Sequence, residues 1–452
     1  MWSSPPSRSG VPGAGRAHHR APACPGALSP AGSVRPPRRI RRSREQAEKG
    51  TEMTDTLSTP PRRLPTERTR PLDPPEELGR LREEEPVSPL LYPDGHVGWL
   101  VTSHAAARKV LSDQRFSARG DLKKVPFELP SGGRPWETVP PGFFMHMDPP
   151  DHTKYRRLLT GQFTVRRMKA LEPRIAQVTE EHLDAMERQG PPADLVPSFA
   201  LPIPSLVICE LLGVPYSERP RFQDHSTTVM RIGSSHEEVA AAFGAIYGLI
   251  HELVQLKHKE PADDLLSGLI ASGELSDAEL TGVGMLLLMA GHETTASMLS
   301  LGTYALLRHP GELARLREDP ELFGNAVEEL MRYLTIAQFG VPRTALEDVE
   351  LEGRLIKAGD GVTVSLAAVN RDPGRFEDAD RLDVGRSTSG HMAFSYGIHQ
   401  CLGQQLARVE MRIAYAALFR RFPGLRLAVD ADEVPLRSEA TMYAAQRLPV
   451  TW

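Results

Sequence analysis

Apolar residues recur at three- and four-residue spacing along most of the chain, which is the period of an amphipathic helix. This spacing predicts helices over residues 171–187, 237–256 and 310–334. Apolar stretches separated by glycine turns predict short strands within 96–103 and 351–370. There is no repeat period, which disfavours solenoids and propellers. The pattern therefore predicts a mainly α-helical fold with small β-sheets.

A longer helix is predicted to begin after Ser276, because this serine and Glu279 have the spacing of a capping box. The helix should end at His309, where Pro310 follows, and about 45 Å of helix would then cross the whole domain. Its first half, LTGVGMLLLMAG, is apolar on nearly every side. We therefore expect this helix to be buried.

Polar residues interrupt the buried helix at residues 290–295, AGHETT. Polar groups inside a core cost stability unless they are hydrogen-bonded. Gly291 removes a side chain and lets the helix open locally, while Glu293 and Thr294 are a carboxylate and a hydroxyl that can pass protons inward. A structural alternative is a kink in which Thr294 bonds back to a carbonyl one turn earlier, and both can hold.

The segment FSYGIHQCLG, residues 394–403, surrounds Cys401 with glycines and one histidine. Gly397 and Gly403 have no Cβ, so the backbone there can approach a flat macrocycle. A helix predicted from Leu402 would place the cysteine at a helix N-terminus, where amide N–H groups favour a thiolate. The alternative is that Cys401 is a small core residue. The apolar stripe predicted for this helix comprises Leu402, Leu406, Val409, Ile413 and Ala417.

The composition is that of a globular chain, with 40% hydrophobic and 25% charged residues. Residues 1–52 differ, since they are dense in Pro, Gly, Ser and Arg and cannot form a core. Their excess of arginine makes the remaining chain more acidic than the overall net charge of −4. We expect a disordered extension or sequence upstream of a natural start at Met53, because proline and glycine disfavour a transit peptide.

The three cysteines, Cys24, Cys209 and Cys401, suggest no disulfide framework and are typical of a reducing cytosol. Cys209 is expected in the core of a helix. There is no run of about 20 apolar residues, so we expect no membrane span. Nucleic-acid binding is not expected outside the basic N-terminal residues.

The pattern of residues 394–403 resembles the haem-ligand loop of the cytochrome P450 monooxygenases, and the resemblance covers about residues 74–452. The end of the chain is most similar to soluble actinobacterial members that oxidise macrolides, other secondary metabolites and xenobiotics. The resemblance implies the cytochrome P450 fold, a helix-rich triangular prism with a long helix over haem b, as one haem-thiolate domain over 53–452. It also implies that Cys401 is the iron ligand, an arrangement that favours O–O cleavage.

The resemblance assigns further site residues by position. Glu293 and Thr294 would be the catalytic acid and alcohol. Two buried haem propionates need cationic partners, for which the resemblance offers His152, Arg156, Arg343 and His399. Glu329 and Arg332 would form a buried pair completed by Arg386. The expected cofactor contacts are His152, Arg156, Ala290, Gly291, Arg343, Phe394, Gly397, His399, Cys401 and Gly403.

The substrate pocket is expected to be apolar. The Gly- and Pro-rich segment 116–147 would roof it, and its aromatic residues either line the chamber or pack into the body. These aromatic residues are Phe127, Trp136, Phe143 and Phe144. Further pocket candidates flank the motifs, and any of them can instead be core: Met285, Leu288, Met289, Ile336, Phe339, Gly340, Val341, Thr441 and Met442.

Electrons are expected from a ferredoxin and its reductase, because the chain has no flavin or nicotinamide fingerprint and no iron–sulfur cysteine set. We expect a cytoplasmic monomer that acts on O2 and an apolar small molecule. A basic docking surface could be formed by Arg157, Arg166, Arg167, Lys169, Arg408 and Arg412, although a solvated face is an equal alternative.

Other classes of haem or metal protein are weaker alternatives. A gas sensor or carrier would not need the acid and alcohol of AGHETT, and peroxide-driven relatives replace that pair. A zinc site built from His391, His399 and Cys401 matches no usual ligand spacing and lacks a fourth ligand. The sequence therefore favours an oxygen-activating monooxygenase.

Overall fold

The fold is described from a computed structural model over residues 60–127, 139–230 and 234–452. The expected N-terminal extension over 1–52 and the pocket candidate Trp136 lie outside the described residues. Within them, helices predominate over three small sheets, which confirms the predicted mainly α-helical class.

The described helices differ widely in length, and the longest is the tenth. In chain order they are α1 Glu76–Glu84, α2 His104–Ser112, α3 Asp151–Thr160, α4 Val165–Ala170, α5 Glu172–Gln189, α6 Pro202–Leu212, α7 Arg219–Met230, α8 His236–Lys259, α9 Leu265–Ser272, α10 Asp277–Arg308, α11 Pro310–Glu318, α12 Phe323–Leu334, α13 Leu366–Val369 and α14 Gln404–Arg421.

The strands are short. They are β1 Val87–Leu91, β2 Val97–Val101, β3 Phe116–Ser117, β4 Ala193–Asp194, β5 Val341–Ala345, β6 Val349–Leu351, β7 Arg354–Ile356, β8 Gly361–Val364, β9 Arg426–Leu427 and β10 Pro449–Thr451. The largest sheet has the order β1-β2-β8-β5-β3, in which only the β2–β8 pair is parallel. The other two sheets have the orders β4-β10-β9 and β6-β7.

The central helix α10 follows the sequence prediction at both ends. The Ser276 hydroxyl accepts the N–H of Glu279 while the Glu279 carboxylate accepts the N–H of Ser276, so the predicted capping box is formed. The helix ends at His309, before Pro310. Its residues 280–288 belong to one hydrophobic cluster, with α6, α8 and α9. Residues 298–306 belong mainly to a second cluster, with α12 and α14, so the AGHETT motif lies between two cores.

The prediction of one helix over 310–334 is wrong, because the segment forms two helices, α11 and α12. Pro320 separates them, since proline removes an N–H donor and clashes with the preceding turn. The Asp319 carboxylate accepts the N–H of Glu321 at 3.1 Å and caps the short turn that follows. The break sets the direction of α12, which carries Glu329 and Arg332.

The strand predictions hold except at one end. Residues 96–103 contain β2, and the segment that begins at 351 contributes β7 and β8 together with the last residue of β6. Its last residues instead form α13, because the Ser365 hydroxyl accepts the N–H of Ala368 and starts a helix.

The sequence expectation of no membrane-length apolar segment needs correction at α8. This helix is long and apolar enough to cross a membrane by length and composition, with a mean hydropathy of 1.5 over 18 residues. One such helix is weak support for a span, because core helices have the same composition. One side of α8, including Ile246, Ile250 and Leu253, packs in the hydrophobic cluster that also contains the first half of α10.

Candidate functional site

Cys401 lies at the start of α14, in a loop fixed by backbone hydrogen bonds. The Cys401 N–H donates to the Phe394 carbonyl at 2.9 Å, which closes the loop. The sulfur accepts the backbone N–H groups of Gly403 and Gln404. Helix α14 begins at Gln404 and not at Leu402 as predicted, because residues 402–403 form a turn. The thiol therefore receives the first amide donors of the helix.

The two described cysteines differ in what surrounds them. Cys209 is buried in the core, and burial raises the pKa of its thiol to about 12. Burial also raises the pKa of Cys401, against the opposing effects of the Gly403 amide, Arg156 and Arg408. Cys401 nevertheless has solvent-accessible surface. The thiol therefore lies deep in the protein but faces open space. This arrangement is not that of a core cysteine.

The two glycines of the cysteine loop have different structural causes. Gly397 has φ +76°, and an added Cβ would meet the Leu111 carbonyl oxygen at 2.2 Å. The backbone of α2 therefore requires a glycine at position 397. From the sequence, we had predicted that this glycine allows a macrocycle to approach. No described protein atom lies within 4 Å of a Cβ added to Gly403, so only this glycine leaves open space.

Buried basic groups gather next to this loop. The imidazole rings of His152 and His399 are 4.2 Å apart between centroids, and Nε2 of each is buried without a hydrogen-bond partner. Arg343 is 4% exposed, and its recorded hydrogen bond goes to the Pro342 carbonyl at 2.9 Å. Lys123 Nζ lies 2.8 Å from Nδ1 of His146. We call His152, His399, Arg343 and Lys123 the basic cluster.

The pKa values of the basic cluster are low because the positive charges are buried without enough acids. Burial and then Arg343 lower the pKa of Lys123 to about 7. Burial lowers the pKa of Arg343 to about 10 and that of His152 to about 4. The nearby Asp148 already accepts Ser117 Oγ and the Ala118 N–H. The cluster therefore has unused capacity to bind an anion.

Arg156 is oriented toward the cysteine loop. Its Nη1 donates to the Gln400 carbonyl at 2.9 Å, next to Cys401. Burial lowers the pKa of this guanidinium. Arg156 therefore supports the loop directly, and a contact with an anionic cofactor stays a prediction for its remaining N–H groups.

The AGHETT turn is the accessible part of an otherwise buried helix. Ala290 is exposed and Gly291, Glu293 and Thr294 are half-exposed, whereas residues 280–288 and 295–306 are buried. Thr294 Oγ1 donates to the Ala290 carbonyl at 2.8 Å, the back-bond of the structural alternative. Helix α10 remains α-helical through this turn. Because Gly291 has no side chain, Ile208 of α6 packs close to its backbone, and atoms of Ile208 would lie 3.0 Å from an added Cβ.

Glu293 is paired with a residue that the sequence did not single out. Its Oε1 accepts Nη1 of Arg437 at 3.1 Å, and Nη2 of Arg437 donates to Ser297 Oγ at 2.9 Å. Burial raises the pKa of Glu293, and Arg437 opposes that shift. The carboxylate is thus held toward the C-terminal segment.

Comparison with known proteins identifies the family to which this site belongs. The Cytochrome P450 family model matches residues 225–442. Cytochrome P450 105C1 of a Streptomyces species is 50% identical over 380 residues, 84% of this chain and 95% of the relative. The chain belongs to the cytochrome P450 family.

Two other relatives have names that state a product or a ligand. Pentalenic acid synthase of Streptomyces avermitilis is 47% identical over 88% of this chain and 99% of its own length. The crystal structure of CYP105P1 in complex with filipin I is 43% identical, with a TM-score of 0.82 over 87% of this chain and 99% of that one. The predicted P450 fold is confirmed, and the chain is a P450 monooxygenase.

P450 enzymes carry haem, and the residues of this site fit that group. The basic cluster offers buried cations with unused donors, which suits the two carboxylates of a haem. The accessible thiol of Cys401 and the open space at Gly403 suit an iron ligand beside a flat ring. Cys401 would hold the iron, while His152, Arg343, His399 and Lys123 would hold the propionates. Metal coordination would deprotonate the thiol outright.

The predicted Glu329, Arg332 and Arg386 side chains come together in this P450. Glu329 and Arg332 are both fully buried and form two hydrogen bonds of 2.7 and 2.8 Å. Arg386 Nε contacts Glu329 Oε1 at 3.2 Å. Arg332 also donates to the carbonyls of Asn370 and Ala379. We call Glu329, Arg332 and Arg386 the acid–arginine cluster, and it ties α12 to the segment before the cysteine loop.

The substrate-pocket candidates fall into three groups. Met285 and Leu288 are buried in the cluster around α6, and Ile336 is buried in the second cluster, so these three have core positions. Phe143 and Phe144 are also core residues. Gly340 has φ +73°, and a Cβ there would meet the Val364 carbonyl. The candidates that keep accessible surface are Met289, Phe339, Val341, Thr441 and Met442.

Two of the segments that carry pocket candidates meet in space. Ala337 and Met442 form an isolated β-bridge, and the Gln338 N–H donates to the Thr441 carbonyl at 3.3 Å. Phe127 stacks on Phe339 with ring centroids 4.6 Å apart. Phe127 therefore contacts the residues between α12 and β5, and contact of segment 116–147 with substrate stays a prediction.

Several of the residues proposed for a basic docking surface have acidic partners. Arg157 pairs with Glu274, and Arg412 pairs with Glu172. Arg408 contacts Glu328. The positive charge of this face is therefore smaller than the sequence indicated. His391, which the zinc alternative required near Cys401, also binds Glu328, at 2.9 Å.

Sequence reasoning missed Lys123, Arg437 and Glu410. Glu410 of α14 is 1% exposed, burial raises its pKa to about 8, and it is hydrogen-bonded to Thr295. The predicted apolar stripe of α14 is confirmed only in part, because Leu406 and Ala417 are buried while its other residues are partly buried. Met411, Ala414 and Tyr415, which lie outside the stripe, are more deeply buried. The period of the helix could have placed Glu410 beside these residues, but nothing in the sequence linked Lys123 or Arg437 to the site.

Proposed function

We propose that this P450 is a haem b enzyme with Cys401 as iron ligand, which inserts one atom of O2 into an apolar polyketide, macrolide, terpenoid or xenobiotic. We further propose a cytoplasmic monomer that receives electrons from a ferredoxin and its reductase. Hydroxylation and epoxidation are the expected reactions. Haem held by a thiolate supplies oxygen activation.

The observation that carries this proposal is the accessible turn of α10. Packing alone would place leucine between two hydrophobic cores, yet this turn has a carboxylate, a hydroxyl and the small exposed side chain of Ala290. The Thr294 hydroxyl, which now donates to the Ala290 carbonyl, can hold a water at Oγ1. Glu293 can hold a proton near that water and pass it on. A protein that only carries a gas needs neither step.

The substrate class is supported by the apolar surroundings and by the names of relatives. The accessible pocket candidates are mainly apolar, with Met289, Phe339 and Met442 among them. Pentalenic acid synthase and a filipin-bound structure are among the similar proteins. We therefore expect a medium to large apolar natural product and not a small charged metabolite.

The proposal is tested in two steps on the purified haem protein. A panel of macrolides, terpenoids, steroids and aromatic natural products is first titrated while the haem spin state is recorded. A binding compound is then turned over with ferredoxin, reductase and isotopically labelled O2. We expect one labelled oxygen atom in the product, and a product without label would contradict a monooxygenase.

A pair of threonine variants tests the role of the α10 turn. Thr294 and Thr303 both donate to a carbonyl one turn earlier, at 2.8 Å, but Thr303 is fully buried in the core. We expect Thr294→Ala to divert electrons from product to hydrogen peroxide, because the water at Oγ1 is lost. Thr303→Ala should keep the wild-type ratio, and equal diversion in both variants would contradict the assignment.

A further inference from the structure

A hairpin near the C-terminus bears Arg437, which contacts Glu293 in the AGHETT turn of α10. Arg437 N–H donates to the Ala444 carbonyl at 2.9 Å, and the Gln446 N–H donates to the Pro435 carbonyl at 2.8 Å. Leu436 and Ala445 form a β-bridge. These bonds define a hairpin over residues 435–446. Its tip includes Thr441, and Met442 follows directly.

The guanidinium of Arg437 has a limited set of partners. Nη1 binds Glu293 and Nη2 binds Ser297, both on α10, and Nε is buried without a partner. The side chains of Arg437 and Glu293 are 17% and 13% exposed, so water screens this ion pair only partly. Arg437 therefore joins the hairpin to one turn of α10.

The hairpin tip is also attached to the strand side of the pocket. Gln338 Nε2 donates to the Ser438 carbonyl at 2.7 Å and to the Ala440 carbonyl. The same residues lie beside the bridge between Ala337 and Met442. A ligand that displaces the tip would therefore also move the backbone that holds Arg437.

We propose that Arg437 is a positioning residue that orients the carboxyl group of Glu293 and couples this acid to the hairpin bearing Thr441 and Met442. This inference rests on the proposed function, because it gives Glu293 a proton-carrying role. It adds a residue from a distant part of the chain to that role.

The charges around Glu293 give the sign of the effect. Burial raises the pKa of Glu293, and among the described residues the recorded opposing charge is Arg437. The adjacent His292 packs against Phe222 of α7, and burial followed by Arg437 lowers its pKa to about 4, so it is neutral near pH 7. Loss of Arg437 therefore leaves burial unopposed, and Glu293 stays protonated to higher pH.

The test is a pH titration of the ferric haem protein by infrared difference spectroscopy, which needs no substrate or turnover. The carbonyl stretch of protonated Glu293 is assigned by its loss in Glu293→Gln. We expect this band to persist to higher pH in Arg437→Met and to titrate near wild type in Arg437→Lys. Arg447→Met is the matched control, since Arg447 lies on the same C-terminal segment and binds Asp194 at 3.2 Å.

A titration in Arg437→Met identical to wild type would overturn the positioning role. The carbon monoxide spectrum of each variant checks that the fold and haem ligation are kept, and Arg437→Gln, which also removes the charge, replaces the methionine variant if that protein does not fold. The link to the hairpin is measured by amide hydrogen exchange over 435–446. Faster exchange in Glu293→Gln supports the link, whereas unchanged exchange would refute it even if the monooxygenase proposal holds.

Discussion

The basic cluster and the acid–arginine cluster both bury charge near the cysteine loop, but they differ in how that charge is satisfied. Arg332 is fully buried, binds Glu329 through two hydrogen bonds and donates to backbone carbonyls. His152 and Arg343 are also buried and His399 is half-buried, yet their donors are largely unused and burial lowers their pKa values. The acid–arginine cluster is therefore satisfied by groups of this chain, whereas the basic cluster is not.

This difference in pairing indicates that buried charge has two uses in this protein. Removal of one partner from a complete buried network is strongly destabilising, so such a network can hold a loop in place. An incomplete one costs stability until a ligand of opposite charge binds it. The acid–arginine cluster should therefore determine folding, and the basic cluster should determine retention of the dianionic haem.

Breaking the acid–arginine cluster should have the largest effect. Glu329→Ala leaves Arg332 buried without its acid, and such a loss costs about 3–5 kcal/mol. We expect poorly folded protein without haem, measured by urea unfolding and by pigment content. Asp380→Ala, which removes an exposed partner of Arg371, is the control and should fold normally. A normally pigmented, stable Glu329→Ala protein would show that this cluster is dispensable.

Breaking the basic cluster should release haem without unfolding the chain. Arg343→Met removes the charged donor that we propose for a propionate, and a hydrogen bond of that kind contributes about 1.5–3 kcal/mol. Haem should therefore transfer to apomyoglobin roughly 10 to 100 times faster. The haem-free variant should be no less stable than wild type, because a buried unpaired charge has been removed. Arg354→Met, which removes the β7 arginine that binds Glu85 at 2.6 Å, should leave the transfer rate unchanged.

A variant of Arg386 should show that this residue contributes less to the acid–arginine cluster than the pair Glu329 and Arg332. It is 11% exposed and meets Glu329 at 3.2 Å, while Arg332 keeps Glu329 paired. Arg386→Ala should therefore lower the free energy of unfolding by only about 1–2 kcal/mol and leave haem bound. A loss as large as that of Glu329→Ala would contradict the idea that Arg332 alone neutralises the acid.

The last expected effect is a pH dependence of stability that comes from Lys123. Burial lowers its pKa to about 7 in the folded protein, below the ordinary value of 10.5. The unfolded chain then binds more protons between about pH 7 and 10, so the stability of haem-free protein should rise with pH in this window. Lys123→Met should reduce that slope, as measured by urea unfolding. An anionic propionate would raise the pKa, so the haem-loaded protein should lack the slope; equal slopes in both forms would place Lys123 away from haem.

Most of the fold could be predicted because its signals are local. The capping box of α10 depends on Ser276 and Glu279, which are three residues apart, and the structure forms it. Pro320 was present in the sequence, but the apolar period on both sides of it hid the break between α11 and α12. The failure at Leu402 has a similar cause, since a turn and the first turn of a helix have the same composition.

The site was predictable only where a motif repeats a family pattern. Cys401 and the pair Glu293 and Thr294 were found in this way. Lys123 and Arg437 were missed, because each lies on a loop or hairpin. The spacing of apolar residues predicts helices and strands but not the path of such segments. Arg437 lies 144 residues from Glu293 in the chain, and only tertiary structure brings the two together.

The central claim is that the sulfur of Cys401 binds haem iron as a thiolate. The most direct measurement is the absorption spectrum of the reduced protein under carbon monoxide, with Cys209→Ala as the control for a core cysteine. We predict the strongly red-shifted Soret band of a thiolate ligand in wild type and Cys209→Ala, and its loss in Cys401→Ala. An unchanged band in Cys401→Ala, or a colourless wild-type protein from haem-replete cells, would contradict the account.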